Sequence, residues 1–325
     1  MAGLQGNVAW VLAQKQTVKG TPGTIAVATS IKNPLSGGSI GPSRQTDNLS
    51  ETDATRDRGN TFIQQTAAEG SPEVYVRDGS IGHWLYYALG ADAPTGSMPN
   101  FTHAITPANV LPYVTVWRNI ADTLWEQYLD CKVGSISISA DTGGPLTATL
   151  GIMGRSSTRL TVTPDNATPI TIQSGPVYNF NDVTGAVTLS GGATALVSSF
   201  ELTIENNLSL QQTDSSIPYD VVEGTREISL GFDMIFADLT EYNKFHYGGA
   251  AGTTQASTTY TTSAVFTFTK SANNSIAFNL PVIAYEEFPV EPNAGGDPIV
   301  VSVRAAAQRN SPIITATVKN QVAAF

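Results

Sequence analysis

One cysteine and three histidines in 325 residues leave this chain short of most catalytic and metal-binding chemistry. Cys131 alone can form neither an intramolecular disulfide nor a Cys-based zinc finger. His83, His103 and His246 are scattered singly. They make no His-x-His or His-Glu-x-x-His pattern for a metal, and no Gly-x-x-x-x-Gly-Lys loop suggests a nucleotide. Basic residues are scarce as well. Lys and Arg number 17 against 27 Asp and Glu, a formal net charge of −10. Without a Lys/Arg run, and without basic residues interleaved with aromatics, tight binding to a nucleic-acid backbone is a poor fit. No run of about 18 apolar residues exists, so no membrane-spanning helix is expected. Residues 1–7 lack the basic start and apolar core of a signal peptide, which makes a soluble, cytoplasmic protein the expectation.

The polarity that charge does not supply comes from 39 Thr and 27 Ser. Together with 29 Gly and 18 Pro they describe a β-rich chain full of turns. The length suits two domains of about 150 residues or one large all-β body. Period-two alternation dominates. Val133–Asp141 puts Ile136 and Ile138 on one face and serines on the other, and Leu146–Ile152 continues the pattern after the turn signal Thr142–Pro145. Phe200–Glu205, Ile228–Phe236 and, more loosely, Val265–Thr269 alternate likewise, as in antiparallel sheets packed on one side only.

Two segments read as helices. Ser80–Gly90 has Ile81, Trp84, Leu85, Ala88 and Leu89 on one stripe, with Ser80 as N-cap and Gly90 as the residue that ends it. Asp238–Gly248 has capping-box spacing between Asp238 and Glu241, and an apolar face of Leu239, Tyr242 and Phe245 or His246. Their surroundings match. Each follows a strand, Glu73–Arg77 or the one ending at Phe236, and each precedes a strand, Tyr113–Trp117 or Val265–Thr269. A pair of strands about a Gly-Gly turn comes next: Cys131–Ala140 and Leu146–Ile152 about Gly143–Gly144, then Ile276–Phe288 and Ile299–Ala305 about Gly295–Gly296. The offset is 158 residues at the helix start (80 to 238) and 152 at the turn (143 to 295), which reads as an internal repeat. The expected division is an N-terminal arm and first strands (1–40), a first unit (41–155), a connecting β segment (156–197), a second unit (198–307) and a C-terminal strand (308–325). A long polar stretch precedes the strand leading to each helix. The first, 41–60, carries Asp47, Glu51, Asp53, Arg56 and Arg58; the second, 206–225, carries Asp214, Asp220 and Glu223.

Nothing reads as an active site, and no cofactor is expected. Asp141-Thr142-Gly143 is the tripeptide of aspartic proteases, whose chemistry needs one such carboxylate per lobe. The second half offers only Asp214-Ser215-Ser216, so Asp141 reads as a turn residue. Cys131 reads as a buried thiol, and Trp84, Tyr86, Tyr87, Trp117 and Trp125 as core or subunit contacts.

The stretches Asp130–Gly151, Ser199–Leu208 and Val222–Phe236, with the helix at Leu239–Tyr247, resemble tail tube proteins of long, non-contractile-tailed bacteriophages. The likeness covers roughly residues 40–305. It implies a structural, non-enzymatic virion protein of the tail, assembled in the host cytoplasm. Such a protein stacks in rings of six-fold or pseudo-six-fold symmetry, and its β-lined channel passes DNA without specific binding. Also implied are a long loop from each unit reaching the neighbouring ring, a helix outside the sheet, and a tape measure and tail-end proteins as partners. A single tube unit needs about half of this chain, so the repeat favours three chains building a pseudo-hexamer. On this reading the fold is mainly β, two tandem sandwich-like units with one short helix each. Loop residues Asp47, Glu51, Asp53, Arg56, Arg58, Asp214, Asp220 and Glu223 become inter-ring candidates. Charge singles out another set. Residues 1–160 hold 11 basic and 12 acidic side chains (net −1) and residues 161–325 hold 6 and 15 (net −9). Glu201 and Glu205, with Asp233, are therefore candidates for carboxylates facing the channel. The alternative class is a two-domain β-sandwich adhesin or carbohydrate binder on a virion or cell surface.

Overall fold

Every alternating segment named above is a strand in a computed structural model of the chain, which describes residues 6, 8–50, 57, 59–182, 187–189, 193–194, 196–292, 295 and 298–325. The chain is mainly β, 53% strand with two short α-helices. The first part runs β1 (Ala9–Lys15), β2 (Ile31–Pro34), β3 (Ile40–Asn48), β4 (Thr61–Gly70), β5 (Glu73–Tyr75), α1 (Ile81–Leu89), β6 (Gly90–Ser97), β7 (Asn100–Pro107), β8 (Val114–Ile120), β9 (Leu124–Asp141), β10 (Thr147–Gly154) and β11 (Ser156–Leu160). The second runs β12 (Val187–Leu189), β13 (Ala193–Thr194), β14 (Val197–Glu205), β15 (Ser209–Gln211), β16 (Asp220–Val222), β17 (Glu227–Ile235), α2 (Thr240–Tyr247), β18 (Thr261–Ser271), β19 (Asn274–Glu287), β20 (Val300–Ala307) and β21 (Thr315–Asn320).

The 18-residue β9 organises the first half by bending between two sheets. Its first part pairs with β8 and β11, extending the sheet β2–β1–β8; its second part pairs with β10 and β14. The bend falls at Asp130, a fully buried carboxylate with φ +54°. An ion pair with Arg155 at 2.8 Å and the Gly20 amide at 2.7 Å hold it there. The central sheet then runs β3–β4–β10–β9–β14–β17–β20–β19, all antiparallel.

Strand β19 is the second corner. Its C-terminal end pairs with β20 and its N-terminal end with β21, which continues to β7 and β6. An opposing layer is thereby built over the apolar face of β14 and β17: Phe200 meets Phe266, Phe268 and Phe278 from β18 and β19 at centroid distances of 4.7 to 5.9 Å. One hydrophobic cluster extends without a break from Val11 through Phe232 to Val318. The halves also interlock by hydrogen bonding, with β14 on β9 and with β21 between β7 and β19.

Around the two helices the strand pairing matches but the chain order does not: the β6–β7 pair stands between α1 and β8, so the first strand after α1 is β6 rather than the expected one at Tyr113–Trp117, whereas α2 leads directly to β18. The strand before α1, β5, pairs with β10, which pairs with β9, which makes a hairpin with β8. The strand before α2, β17, pairs with β20, which pairs with β19, which makes a hairpin with β18. The first turn between such strands is closed by Gly144 N–H to Asp141 O at 2.9 Å with Gly143 at φ +80°; of the second Gly-Gly turn, Gly296 and Asp297 lie outside the described residues.

Two expectations change. The stretch 41–60 is not all loop, because residues 40–48 form β3, zipped to β4 from Ile40↔Gly70 to Asn48↔Thr61. Helix α2 does not turn the expected stripe inward. Tyr242 and Phe245 pack on the core, but Leu239 is exposed, and Glu241 and Lys244 are buried instead. The expected capping box is not made: Leu239 is the N-cap and gives no side-chain cap, Asp238 just before it accepts the Thr240 amide at 2.8 Å, and Glu241 points inward to Lys244 (2.5 Å) and the Tyr285 hydroxyl (2.7 Å).

Candidate functional site

The alternation that buries Ile136, Ile138, Leu202, Ile204, Leu230 and Phe232 forces their neighbours onto the other face of the central sheet, and no element among the described residues covers that face. Cross-strand register arranges it in rows. One row is Ser135, Glu205, Glu227; the next is Ser137, Thr203, Ser229; then come Ser139, Glu201, Gly231, Arg304, and last Asp141, Ser199, Asp233, Ser302. Hydroxyls link strands within these rows. Thr203 donates to Ser137 at 3.0 Å, and Ser302 donates to Asp233 Oδ1 at 2.6 Å.

Glu201, Glu205 and Asp233 therefore share one face, as their place in the alternation predicts. Sequence reading missed their company, Asp141, Glu227 and Arg304, because only the register puts these side chains beside them. Carboxylates thus outnumber Arg304 on this face among the described residues, and Glu205 stands directly opposite Glu227, a like-charge pairing that disfavours the isolated sheet. Arg304 leans to Glu287 at 3.6 Å, an exposed and therefore weak pair. Depressions of roughly 320 Å³ at Glu201 and Arg304, and of roughly 290 Å³ at Glu205 and Gly134, indent this face. Both are open to solvent.

The polar stretches fare differently from each other. Asp47 lies near the end of β3, on a hairpin whose outer part is exposed; Glu51, Asp53, Arg56 and Arg58 lie outside the described residues. In 206–225, Asp214 is exposed in the turn between β15 and β16, and Thr66 N–H of the hairpin donates to Ser216 O at 2.8 Å. Asp220 and Glu223 turn back onto the first half of the chain. Asp220 pairs with Lys19 at 2.8 Å and accepts the Tyr113 hydroxyl; Glu223 pairs with Lys132 at 2.7 Å and accepts the Leu111 amide. Burial opposes the ionisation of both, but these hydrogen bonds and ammonium groups outweigh it and hold both carboxyls below the usual range.

The remaining reactive groups are engaged in packing. Burial, then the Asp130 charge, pushes the Cys131 thiol far up, away from the reactive thiolate. Burial pushes His83 down to about 3, and His103 lies between Asp92 and the Val322 carbonyl at 2.8 Å each. Asp141 is a strand-end residue on the polar face, with Ser199 rather than a second carboxylate opposite. Among the described residues, no group of three or more His, Cys, Asp or Glu is placed to hold a metal ion.

A family model described as phage tail tube protein matches residues 5–308. The chain belongs to the phage tail tube protein family. That membership makes it a structural component of the virion tail, which assembles with its own kind. No curated protein matches the chain. No helix among the described residues is long and apolar enough to cross a membrane.

Proposed function

We propose that this chain polymerises as stacked rings into a tail tube whose channel delivers DNA into the host, with the uncovered face of β10, β9, β14, β17 and β20 as the channel wall. The observation that carries this reading is the face itself: four rows dominated by Ser, Thr and carboxylate across β9, β14 and β17, extended by Thr147 and Thr149 of β10 and by Ser302 and Arg304 of β20. Duplex DNA carries about one negative charge per 1.7 Å of axis, so a basic wall would hold it by counterion release. A wall with Asp141, Glu201, Glu205, Glu227 and Asp233 against Arg304 repels the phosphates and keeps the duplex centred. Screening limits the effect to about 8 Å at physiological salt. No base or phosphate is bound specifically.

The matching strand pairing around α1 and α2 supports two tandem tube units, 41–155 and 198–307, so that three chains close a ring of six similar units. The β3–β4 hairpin and the turn at Asp214 are the inter-ring elements on this reading. Asp220 and Glu223 serve instead to clamp the 206–225 segment to its own chain. A tape measure inside the tube and terminating proteins at its ends complete the partners. Cross-section averages of assembled tubes test the ring: three-fold symmetry with six similar lobes is expected, and six whole chains per ring would overturn it. Glu201→Lys with Glu205→Lys tests the wall. Tails should assemble normally and release DNA more slowly, most of all at low salt; unchanged release would remove these carboxylates from the channel.

A further inference from the structure

Strand β21 ends at Asn320, whose side chain donates to Asp78 O at 3.0 Å and accepts the Val322 amide at 3.0 Å. Residues 321–325 then return to α1 and β7, where two contacts fasten them. The Phe325 ring fills the space that Gly82 leaves on α1, where a Cβ would overlap it. It lies between two imidazoles, stacked on His103 at 3.9 Å and tilted on His83 at 4.7 Å. The Val322 carbonyl meets His103 Nε2 at 2.8 Å, and the other ring nitrogen, Nδ1, meets Asp92 Oδ2 at 2.8 Å. His103 is itself fully buried.

Both partners of that ring are acceptors. A neutral imidazole carries one N–H and satisfies one of them; only the imidazolium donates to both. With its one N–H on the carboxylate, a neutral ring would turn the Nε2 lone pair against the Val322 oxygen. The surroundings suit a cation. Asp92 on β6 supplies the counter-charge, and the cross-strand neighbours of His103, Pro94 on β6 and Val318 on β21, are uncharged. On α1, burial and then the His103 charge push His83 down to about 3, so it stays neutral. The Phe325 face adds a cation–π contact to the same charge.

We propose that His103 is a proton-operated clasp: doubly protonated, it pins residues 321–325 onto α1, and loss of one proton releases them and opens the socket beside Gly82. Hydrogen bonding fixes the direction. A proton that serves two acceptors in the closed form and none in the open one favours closing in mild acid. That advantage fades as the pH rises, by at most about tenfold in the open-to-closed ratio per pH unit. Histidine is the side chain that makes such a change near neutrality. Of the other two, His83 is neutral throughout and His246 lies on α2. The clasp is independent of the tail-tube reading, and either outcome of its test leaves that reading standing.

A nitroxide on Ala324→Cys reports the clasp, because Ala324 is exposed and the native Cys131 is fully buried. Its spectrum should be immobilised at about pH 5.5 and grow mobile toward about pH 8.5. Asp92→Asn should keep the label immobilised over the whole range, since the amide can donate to Nδ1 while Nε2–H holds the Val322 carbonyl. Phe325→Ala should free the label at every pH. Nitrogen NMR of the native chain covers the case in which a variant misfolds: both His103 ring nitrogens should carry protons in mild acid. A singly protonated ring there would overturn the clasp, as would label mobility that ignores pH in the otherwise native chain. Asp92→Asn with an unaltered pH response, or with a label mobile at every pH, would also reject it, leaving Asp92 a merely structural neighbour.

Discussion

Helices α1 and α2 occupy corresponding places in the chain's two halves, yet their environments are opposite. All nine residues of α1 are buried, whereas α2 buries only Glu241 and Lys244. Both end on a left-handed glycine, Gly90 at φ +103° and Gly248 at φ +72°, so the local signals that delimit them are alike. What differs is the cover. Trp84 Nε1 donates to Asn33 Oδ1 of β2, Lys15 of β1 reaches the Tyr86 hydroxyl, and the Phe325 ring lies against Gly82, stacked on His103 and tilted on His83. Strands β1 and β2, the β6–β7 pair and the residues after β21 thus enclose α1. Nothing equivalent among the described residues encloses α2, which keeps its outer side in water and holds to the core through Tyr242, Phe245 and the Glu241–Lys244 pair with the Tyr285 hydroxyl. Helices beside matching strand pairings can thus be a core helix or a surface helix, depending on the elements that surround them.

The sharpest way to break this comparison is at the enclosed helix. Trp84→Ala removes a fully buried indole and its hydrogen bond, and should cost about 3–5 kcal/mol in denaturant unfolding. The Glu241–Lys244 pair should respond almost as strongly to a one-sided change. Lys244→Ala leaves the Glu241 carboxylate buried without its ammonium and should cost about 3 kcal/mol. Replacing both, Glu241→Leu with Lys244→Met, should recover most of that loss, because no charge remains to be desolvated. A double-mutant cycle measures the difference, and additive losses would show that the pair does not act as a unit.

A smaller effect tests the Asp238–Thr240 contact. The Thr240 backbone amide, joined by the Thr240 hydroxyl, holds the Asp238 carboxyl below the usual range against a slight opposing effect of burial. Its contribution is then complete above about pH 4, the unfolded value, and fades as the pH falls through the lower folded value. Asp238→Ala should cost about 1 kcal/mol at neutral pH, and the gap from wild type should close in acid; a gap independent of pH would assign the loss to something other than this carboxylate. Least of all should the monomer feel Leu239→Ser, within about 0.5 kcal/mol, since that side chain is exposed. A large loss there would mean that α2 is covered within its own chain after all.

How much of this was legible depended on range. Period two set Glu201 and Glu205 against Leu202 and Ile204, which is enough to assign both carboxylates to the polar side of their strand. The same reasoning could not reach Asp141 or Glu227, because a side chain's partners across a sheet depend on register, and a slip of one residue exchanges the faces. Helix periodicity marked Leu239, Tyr242 and Phe245 as one stripe but could not tell that Tyr285, on a strand 40 residues further on, would draw Glu241 and Lys244 inward. The polar stretches looked equivalent in composition. Only folding brought Lys19, Tyr113 and Lys132 to Asp220 and Glu223, while the first stretch became an exposed hairpin.

By itself the sequence determined the mainly β character, the positions of the alternating core strands and of the two helices, and the absence of a disulfide within the chain, because alternation, helix-ending glycines and a single cysteine act over a few residues or none. Tertiary structure alone decided that β9 and β19 turn corners between layers, that the two halves share one core, and that one uncovered face gathers carboxylates of β9, β14, β17 and β19 together with Arg304. Those outcomes rest on pairings between strands tens of residues apart, such as β14 with β9 and β21 with β7. The side-chain pattern permits such pairings, but only the balance of burial over the whole chain selects them.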